Sequence, residues 1–250
     1  MNRILATSLL LNVLLVVAIV VFASFTGFFV QSNVLDPLYE RQVSVFESFP
    51  VDAGDVVFVG DTLVAAAPLE EMFPELPVRN RGIVGDTSQG ILDRIDTVAA
   101  AEPAAVAIMV GTFDVLGGVP RRDTIGRVEA ILDVLMAEDP DLPVAVLSVL
   151  PRDIEAVQSV ERLNAGYADL AAARDLAFID LASDYRGADG AIEPRFSNDG
   201  LHLNGPGYEK WRDRLRPWLT GVLANAVQAG EAPSPTGGPP AGGPTIGGPQ

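Results

Sequence analysis

Short apolar runs recur along the middle of this chain and restrict its fold more than any other sequence feature. They span residues 56–59, 105–110, 144–149 and 177–181, and a weaker run spans residues 78–81. The first four runs are brief, continuous and rich in Val, Ile, Leu and Ala, whereas residues 78–81 are mostly polar. Strands that are covered on both faces have this composition, whereas strands with one solvated face alternate apolar and polar residues. We therefore predict strands buried on both faces at the first four places and a weaker strand at residues 78–81.

Longer segments with helical length and spacing separate the apolar runs. They span residues 89–101, 122–138, 154–174 and 207–227. Strands that alternate with helices of this length are typical of a parallel sheet covered by helices. A chain of 250 residues is long enough for one such domain and for additional segments at its ends. The sequence predicts an α/β domain over residues 51–228.

The N-terminal stretch of residues 4–30 contains no charged side chain. At about 1.5 Å per residue, a helix of that length exceeds the roughly 30 Å hydrocarbon core of a bilayer. Arg3 precedes the stretch and the next basic residue is Arg41, which favours a cytoplasmic N-terminus and an exported domain. We thus expect a transmembrane signal anchor over residues 1–30. The alternative is a cleaved signal peptide, with small side chains at residues 21 and 23, and it exports the domain equally well.

Two other segments lie outside the predicted domain. Residues 31–50 form a juxtamembrane connector in which apolar residues are spaced loosely as on one face of a helix. Residues 229–250 consist almost wholly of Pro, Gly, Ala, Ser and Thr. Such a segment has too little apolar surface to offset the conformational entropy lost on ordering. We expect a disordered tail there.

Composition excludes several classes of function. The formal net charge of -16 argues against nucleic acid as a partner, because binding to phosphate backbones relies on clustered Lys and Arg. The chain contains no Cys and one His, so neither a disulfide framework nor a thiolate metal site can form. We predict no metal and no nucleic-acid ligand.

Polar and glycine-containing segments follow the predicted strands. They read Gly60-Asp61-Thr62 after the first run, then residues 81–87, then Gly111-Thr112-Phe113-Asp114, and finally Asp199-Gly200-Leu201-His202 before the last helix. Ligand crevices of open α/β sheets lie beyond the carboxyl ends of the strands. We expect these distant segments to meet at one rim of the sheet.

His202, the single histidine of the chain, stands three residues after Asp199. At that spacing the carboxylate can accept a hydrogen bond from the imidazole Nδ1, which leaves Nε2 free to act as a base. A nearby hydroxyl would complete a catalytic triad. A pair with this spacing also serves to stabilise loops, and the residues alone leave both interpretations open.

Together these segments resemble the four sequence blocks of the SGNH (GDSL-type) ester hydrolases, over about residues 56–219. The resemblance implies a flavodoxin-like three-layer α/β sandwich with a five-stranded parallel sheet. It places Thr62 at the nucleophile, Asp199 and His202 in the triad, and the backbone amides of Thr62 and Gly85 in the oxyanion hole. It implies no cofactor.

Two positions depart from the family pattern. Thr62 stands where the family has Ser, and Phe113 stands where it has an Asn that donates to the oxyanion. A Thr hydroxyl is able to act as a nucleophile, but its β-branch restricts the side-chain torsion χ1. Phe113 has no hydrogen-bond donor. The loss of one oxyanion donor costs on the order of 10² to 10³ in rate.

The resemblance and its departures leave three functions open. The first is an extracytoplasmic hydrolase acting through an acyl-enzyme on ester bonds of acylated lipids or carbohydrates. The second is a catalytically degenerate domain that binds an envelope ligand or a partner protein without turnover. The third is a purely structural envelope protein. In each case the expected place is outside the cytoplasm, and the sequence does not indicate an oligomeric state.

Overall fold

The computed structural model of the protein describes residues 3–30, 35–152 and 156–229. The chain divides into two compact units, residues 1–49 and residues 50–250. Of the predicted tail at 229–250, all but Ala229 lies outside the described residues.

The first unit contains two helices, α1 (Arg3–Val30) and α2 (Asp36–Ser48). Helix α2 begins with Asp36 in its first turn and a proline next to it, and both residues favour a helix start. Of the predicted connector at 31–50, residues 31–34 lie outside the described residues. In the described ranges, no helix has both the length and the apolar character needed to cross a membrane. The predicted transmembrane span is therefore not supported.

The second unit is built on a parallel sheet. Its strands are β1 (Val56–Gly60), β2 (Val78–Gly82), β3 (Ala105–Met109), β4 (Val144–Leu147) and β5 (Ala177–Ile179). They lie in the order β2-β1-β3-β4-β5, and every neighbouring pair is parallel. This is the strand order of flavodoxin-like doubly wound folds. The prediction of a five-stranded parallel sheet is confirmed.

Helices cover both faces of the sheet. They are α3 (Thr62–Ala65), α4 (Leu69–Met72), α5 (Ser88–Leu92), α6 (Asp96–Ala99), α7 (Thr112–Leu116), α8 (Arg121–Glu138), α9 (Val157–Ala173), α10 (Ala182–Tyr185) and α11 (Gly205–Ala229). Along β1, Val56 and Phe58 pack into one core with α3, α4 and α11. Val57 and Val59 pack into a second core with α5, α6, α8 and α9. Because alternate residues of a strand point to opposite faces, β1 is buried on both sides.

One predicted helix is wrong in detail. Residues 89–101 form two short helices, α5 and α6, instead of a single one. The break occurs where the amide of Arg94 bonds to the carbonyl oxygen of Ile91 at 3.1 Å, an i to i−3 bond that tightens and ends a helix. The side chain of Arg94 then turns back to Asp86 in a buried ion pair at 2.8 Å, which the apolar pattern did not reveal.

The register of the sheet aligns the ends of its central strands. Gly60, the last residue of β1, pairs with Gly82 on one side and with Met109 on the other. The loops that follow β1, β2 and β3 therefore leave the sheet at the same level. This alignment brings residues 61–62, 83–87 and 110–114 to one rim.

Candidate functional site

Thr62 is the first residue of α3, directly after β1. Asp61 caps this helix, since its Oδ1 accepts a hydrogen bond of 3.1 Å from the amide of Leu63. Gly60 makes the turn possible, because a Cβ at this position would lie 2.4 Å from the carbonyl oxygen of Met109. Thr62 is only 5% exposed. The turn thus fixes the hydroxyl in an enclosed position at the rim.

The amide of Gly85, in the loop after β2, donates a hydrogen bond of 2.8 Å to the Thr62 hydroxyl oxygen. Gly85 has a φ of 79°, which residues with a Cβ rarely adopt. An added Cβ would meet no neighbouring atom, so the backbone conformation itself requires glycine here. The structure therefore brings together two of the predicted site residues, and an N–H group points at the atom predicted to be the nucleophile.

Asp199 and His202 form the hydrogen-bonded pair that their spacing predicts. The imidazole Nδ1 lies 2.6 Å from Asp199 Oδ2. The other carboxylate oxygen accepts bonds from the amides of Leu201 and His202, at 2.9 and 2.8 Å. The hydrogen bond from the His202 side chain, followed by these amides, holds the pKa of Asp199 well below its usual range. The carboxylate is thus charged, and it orients the ring with Nε2 directed away from it.

The loop that carries this pair is attached to α3. Tyr208, near the start of α11, donates a hydrogen bond of 2.9 Å from its hydroxyl to the carbonyl oxygen of Leu63. Leu203 is buried in the core shared by α3 and α11. The structure thereby brings the loop bearing His202 to the helix that begins at Thr62. Within the described residues, no hydrogen bond joins Thr62 to His202, and Thr62 is bonded to Gly85 instead.

Phe113 lies in α7, after β3, with Thr112 and Asp114 buried on either side of it. Its ring is partly exposed and offers no N–H or O–H group. Gly111 precedes it with a φ of 127°, and a Cβ there would lie 2.8 Å from the side chain of Leu163. The turn after β3 is therefore tightly packed. The Phe113 side chain in it supplies no hydrogen-bond donor.

Asp114 ties the loops after β2 and β3 together. Its carboxylate accepts hydrogen bonds from the Ser88 amide at 2.9 Å and from the Ser88 hydroxyl at 2.5 Å, and Arg127 lies 3.6 Å away. Asp114 is completely buried. Asp114 belongs to one of the four sequence blocks, but its position there does not by itself predict this role. The sequence feature that could have indicated a buried role is a charged residue that lies between apolar strand and helix residues.

Asn80 is a second residue whose role the sequence analysis missed. Its side-chain amide donates to the carbonyl oxygen of Val64 at 2.7 Å, and its Oδ1 accepts from the amide of Gly82 at 2.9 Å. A single polar residue of β2 therefore positions α3, on which Thr62 lies. Because Asn80 lies inside a strand, the sequence pattern did not indicate that it positions α3.

Asp61 has an unusual electrostatic environment. Burial raises its pKa to about 6, although hydrogen bonds from Leu63 and Thr112 lower it, and the nearby carboxylate of Asp86 raises it further. Desolvation disfavours the charged form of an acid. A titratable group with a pKa near neutrality therefore lies next to Thr62.

The described ranges contain no group of three or more His, Cys, Asp and Glu side chains arranged to hold a metal ion. The chemistry available at the rim is that of a hydroxyl, an imidazole and a carboxylate with backbone amides.

The sequence of this chain matches a known protein family and individual relatives. Residues 58–210 match the sequence profile of the GDSL-like lipase/acylhydrolase family. Platelet-activating factor acetylhydrolase IB subunit alpha1 of Bos taurus is 30% identical over 215 residues, which cover 80% of this chain and 91% of that protein. The alpha2 subunit of Rattus norvegicus is 28% identical over 186 residues, covering 68% and 80%.

A solved structure has the same fold. A GDSL-like lipase from Bacteroides thetaiotaomicron superposes with a TM-score of 0.67 at 24% identity, covering 74% of this chain and 98% of that one. At this level of identity the similarity establishes the fold alone.

Proposed function

Because the chain belongs to the GDSL-like lipase/acylhydrolase family, as its four sequence blocks predicted, we propose that it hydrolyses carboxylic esters with Thr62 as the nucleophile. The observation that carries this proposal is the Asp199–His202 pair at 2.6 Å, on a loop that Tyr208 attaches to α3. The oriented imidazole and the attachment of its loop support a role for His202 as the base that activates Thr62.

The proposed reaction proceeds through an acyl-enzyme. His202 Nε2 removes the proton of the Thr62 hydroxyl as Oγ1 attacks the ester carbonyl carbon. The amides of Gly85 and Thr62 donate to the oxyanion of the tetrahedral intermediate. His202 then gives its proton to the departing alkoxide, which leaves as an alcohol. Water, deprotonated by His202, attacks the acyl-Thr62 ester and releases the carboxylic acid.

Asp199 acts in this scheme by orienting His202. Its charged form holds the Nδ1 proton and stabilises the imidazolium that forms in each half-reaction. Phe113 contributes no donor to the oxyanion, so the two backbone amides act without a side-chain donor. We expect turnover about 10² to 10³ slower than with such a donor.

The proposed substrates are acyl esters of lipids or carbohydrates. The family acts on ester substrates of these kinds, and the mammalian relatives are named for the hydrolysis of an acetyl group of platelet-activating factor.

A second candidate function is binding without turnover. It is favoured by the enclosed position of Thr62, whose hydroxyl is already bonded to Gly85, and by the missing donor at Phe113. In this case the rim binds an envelope ligand or a partner and does not cleave it.

Hydrolysis of a short-chain aryl ester distinguishes the two functions. The hydrolase proposal requires that wild type exceed both Thr62→Ala and His202→Ala. Equal rates for wild type and His202→Ala would refute the triad. If wild type and Thr62→Ala are both at background while Thr62→Ser combined with Phe113→Asn gains activity, the binding function is correct.

We also propose that the domain acts outside the cytoplasm, because residues 4–30 lack charge and Arg3 precedes them. Fractionation of the producing cells should then recover the domain outside the cytoplasmic fraction. Recovery in the cytoplasmic fraction would contradict this location.

A further inference from the structure

The loop that carries Asp199 and His202 has a buried base and an exposed tip. At its base, Ser197 pairs with Leu203 in an antiparallel bridge, and both residues are buried. At its tip, the side chains of Asp199 and His202 are 54% and 48% exposed. Water therefore reaches the hydrogen-bonded pair on which the proposed mechanism depends, and it competes for the same donors and acceptors.

Several contacts fix the base of this loop. The backbone amide of Asn204 donates to the carbonyl oxygen of Phe196 at 3.0 Å, and its side-chain amide donates to the carbonyl oxygen of Arg195 at 3.0 Å. The ring of Phe196 is buried, and the guanidinium carbon of Arg195 lies 4.5 Å from the ring centroid, a distance typical of cation–π contacts. Ser197 directly follows this segment, so its position relative to the core is fixed.

The hydroxyl of Ser197 connects the base of the loop to its tip. It donates a hydrogen bond of 3.2 Å to Asp199 Oδ1 and accepts one of 2.9 Å from the amide of Gly200. The amide thus occupies a lone pair of the hydroxyl oxygen and leaves the hydroxyl proton for the carboxylate. Ser197 is 4% exposed, so water has little access to this hydroxyl.

The contacts of Asp199 divide between its two carboxylate oxygens. Oδ1 accepts from the amides of Leu201 and His202 and from the hydroxyl of Ser197. Oδ2 lies 2.6 Å from the imidazole Nδ1. Two of the three donors to Oδ1 belong to the exposed tip and move with it. Of these three donors, Ser197 is the one that belongs to the buried base.

The Gly200 amide, the Ser197 hydroxyl, the Asp199 carboxylate and the His202 imidazole form a continuous chain of hydrogen bonds, and such bonds strengthen one another. We propose that Ser197 is a positioning residue for the Asp199–His202 pair. Its hydroxyl fixes the rotation of the carboxylate, so that Oδ2 holds the Nδ1 proton and Nε2 stays available as the base. The effect of Ser197 on ester turnover rests on the proposed hydrolase function, whereas its effect on the geometry of the pair does not.

Nuclear magnetic resonance of the full chain, isotopically labelled at the histidine ring nitrogens, tests the proposal directly. His202 is the only histidine of the chain, so its two ring nitrogens give the only imidazole signals. At alkaline pH, where the ring is neutral, wild type should carry the proton on Nδ1. In Ser197→Ala this proton should exchange with water about three- to tenfold faster, and the Nε2–H tautomer should appear, because the partner of Nδ1 determines which nitrogen is protonated. An unchanged tautomer and exchange rate in Ser197→Ala would overturn the proposal.

Ser148→Ala is the matched control for these spectra. Ser148 is completely buried, and its hydroxyl oxygen accepts hydrogen bonds from the amides of Leu181 and Ala182 at 2.8 Å each. The variant also loses a buried serine hydroxyl, but it should retain the wild-type tautomer and exchange rate. Equal spectral changes in Ser197→Ala and Ser148→Ala would show that a general loss of stability frees the imidazole, and this result would overturn the proposal.

Steady-state kinetics on an aryl ester measure the effect on turnover. In Ser197→Ala, kcat should fall about three- to tenfold while KM stays unchanged, because Ser197 is buried and acts through Asp199. A rise in KM without a fall in kcat would assign Ser197 to substrate binding and contradict its positioning role.

A double variant shows whether Ser197 acts through Asp199. When Ser197→Ala is added to Asp199→Asn, kcat should stay within about twofold of the value for Asp199→Asn alone. A further three- to tenfold fall would mean that Ser197 affects turnover by another route, which contradicts the proposal.

Failure of this proposal and failure of the hydrolase proposal have different signatures. If wild type hydrolyses no ester, the hydrolase proposal fails, and the spectra of wild type and Ser197→Ala still decide the role of Ser197. If wild type is active and Ser197→Ala keeps both its kcat and the Nδ1–H tautomer, the hydrolase proposal stands and the positioning role of Ser197 is wrong.

Discussion

Tyr208 Oη donates a hydrogen bond of 2.9 Å to the carbonyl oxygen of Leu63, 145 residues earlier in the chain. Both groups are buried, and the bond connects the start of α11 to α3. The geometry of the proposed triad depends on this connection, because Thr62 belongs to one of these helices and His202 precedes the other.

Replacement Tyr208→Phe should lower the free energy of unfolding by about 1–3 kcal/mol, since it leaves a buried carbonyl oxygen without its donor. Urea denaturation measures the change. Tyr167→Phe is the matched control, because it removes a similar buried bond of 3.1 Å to Val110. We expect comparable destabilisation in the two variants and a larger loss of kcat/KM in Tyr208→Phe. Identical activity of the two would contradict the role of Tyr208 in positioning the loop.

Replacement Asp199→Asn should reduce kcat/KM by about 10³ to 10⁴, because an amide no longer holds the Nδ1 proton or stabilises the imidazolium. Stability should change little, as the pair is about half exposed. Steady-state kinetics on an aryl ester measure the effect. Asp213→Asn, an exposed carboxylate on α11 that pairs with Arg212, serves as the control. A loss below threefold in Asp199→Asn would show that the pair merely stabilises its loop.

The buried Asp61 should make stability depend on pH in a defined window. Its pKa rises from 3.8 in the unfolded chain to about 6 in the folded protein, so the folded state binds the proton more tightly. Its contribution to stability is complete below pH 3.8 and is lost as the pH rises to about 6. The loss amounts to about 3 kcal/mol.

Unfolding of wild type and Asp61→Asn, compared between pH 4 and pH 7, tests this prediction. Asn resembles the protonated acid and does not titrate, so the stability of Asp61→Asn relative to wild type should increase with pH. A constant difference across the window would show that Asp61 titrates as an ordinary carboxylate.

The Ser88–Asp114 contact should contribute measurably to stability. Ser88→Ala removes the hydroxyl that donates to Asp114 at 2.5 Å and should cost about 1–3 kcal/mol, because a buried carboxylate loses a donor. Thr97→Ala is the control, since the Thr97 hydroxyl bonds to a backbone oxygen at an exposed position. Equal denaturation midpoints for the two variants would contradict the prediction.

The central strands of the sheet could be predicted from the sequence because β1, β3 and β4 are buried along their whole length. Runs such as the one at 105–110 are apolar throughout, and neither helices with a solvated face nor half-exposed strands have that pattern. The spacing of Asp199 and His202 likewise predicted their hydrogen bond. In both cases the residues that determine the structural feature lie close together in the sequence.

The remaining features depend on contacts between distant residues. Helices α3, α4, α7 and α10 contain four or five residues each, too few to show a helical period. The bonds from Asn80 to α3 and from Asp114 to Ser88 join segments whose proximity follows from strand order. The sequence of one segment therefore does not indicate which residue of the other is its partner.

The Gly85 amide is already occupied in the resting protein, since it donates to the Thr62 hydroxyl. A neutral ester carbonyl must compete with that hydroxyl for the same proton donor and gains little from the exchange. An analogue with a formal negative charge on the corresponding oxygen forms a stronger bond to the amide. Charged mimics of the tetrahedral intermediate should therefore outcompete neutral substrate analogues by a wide margin at this rim.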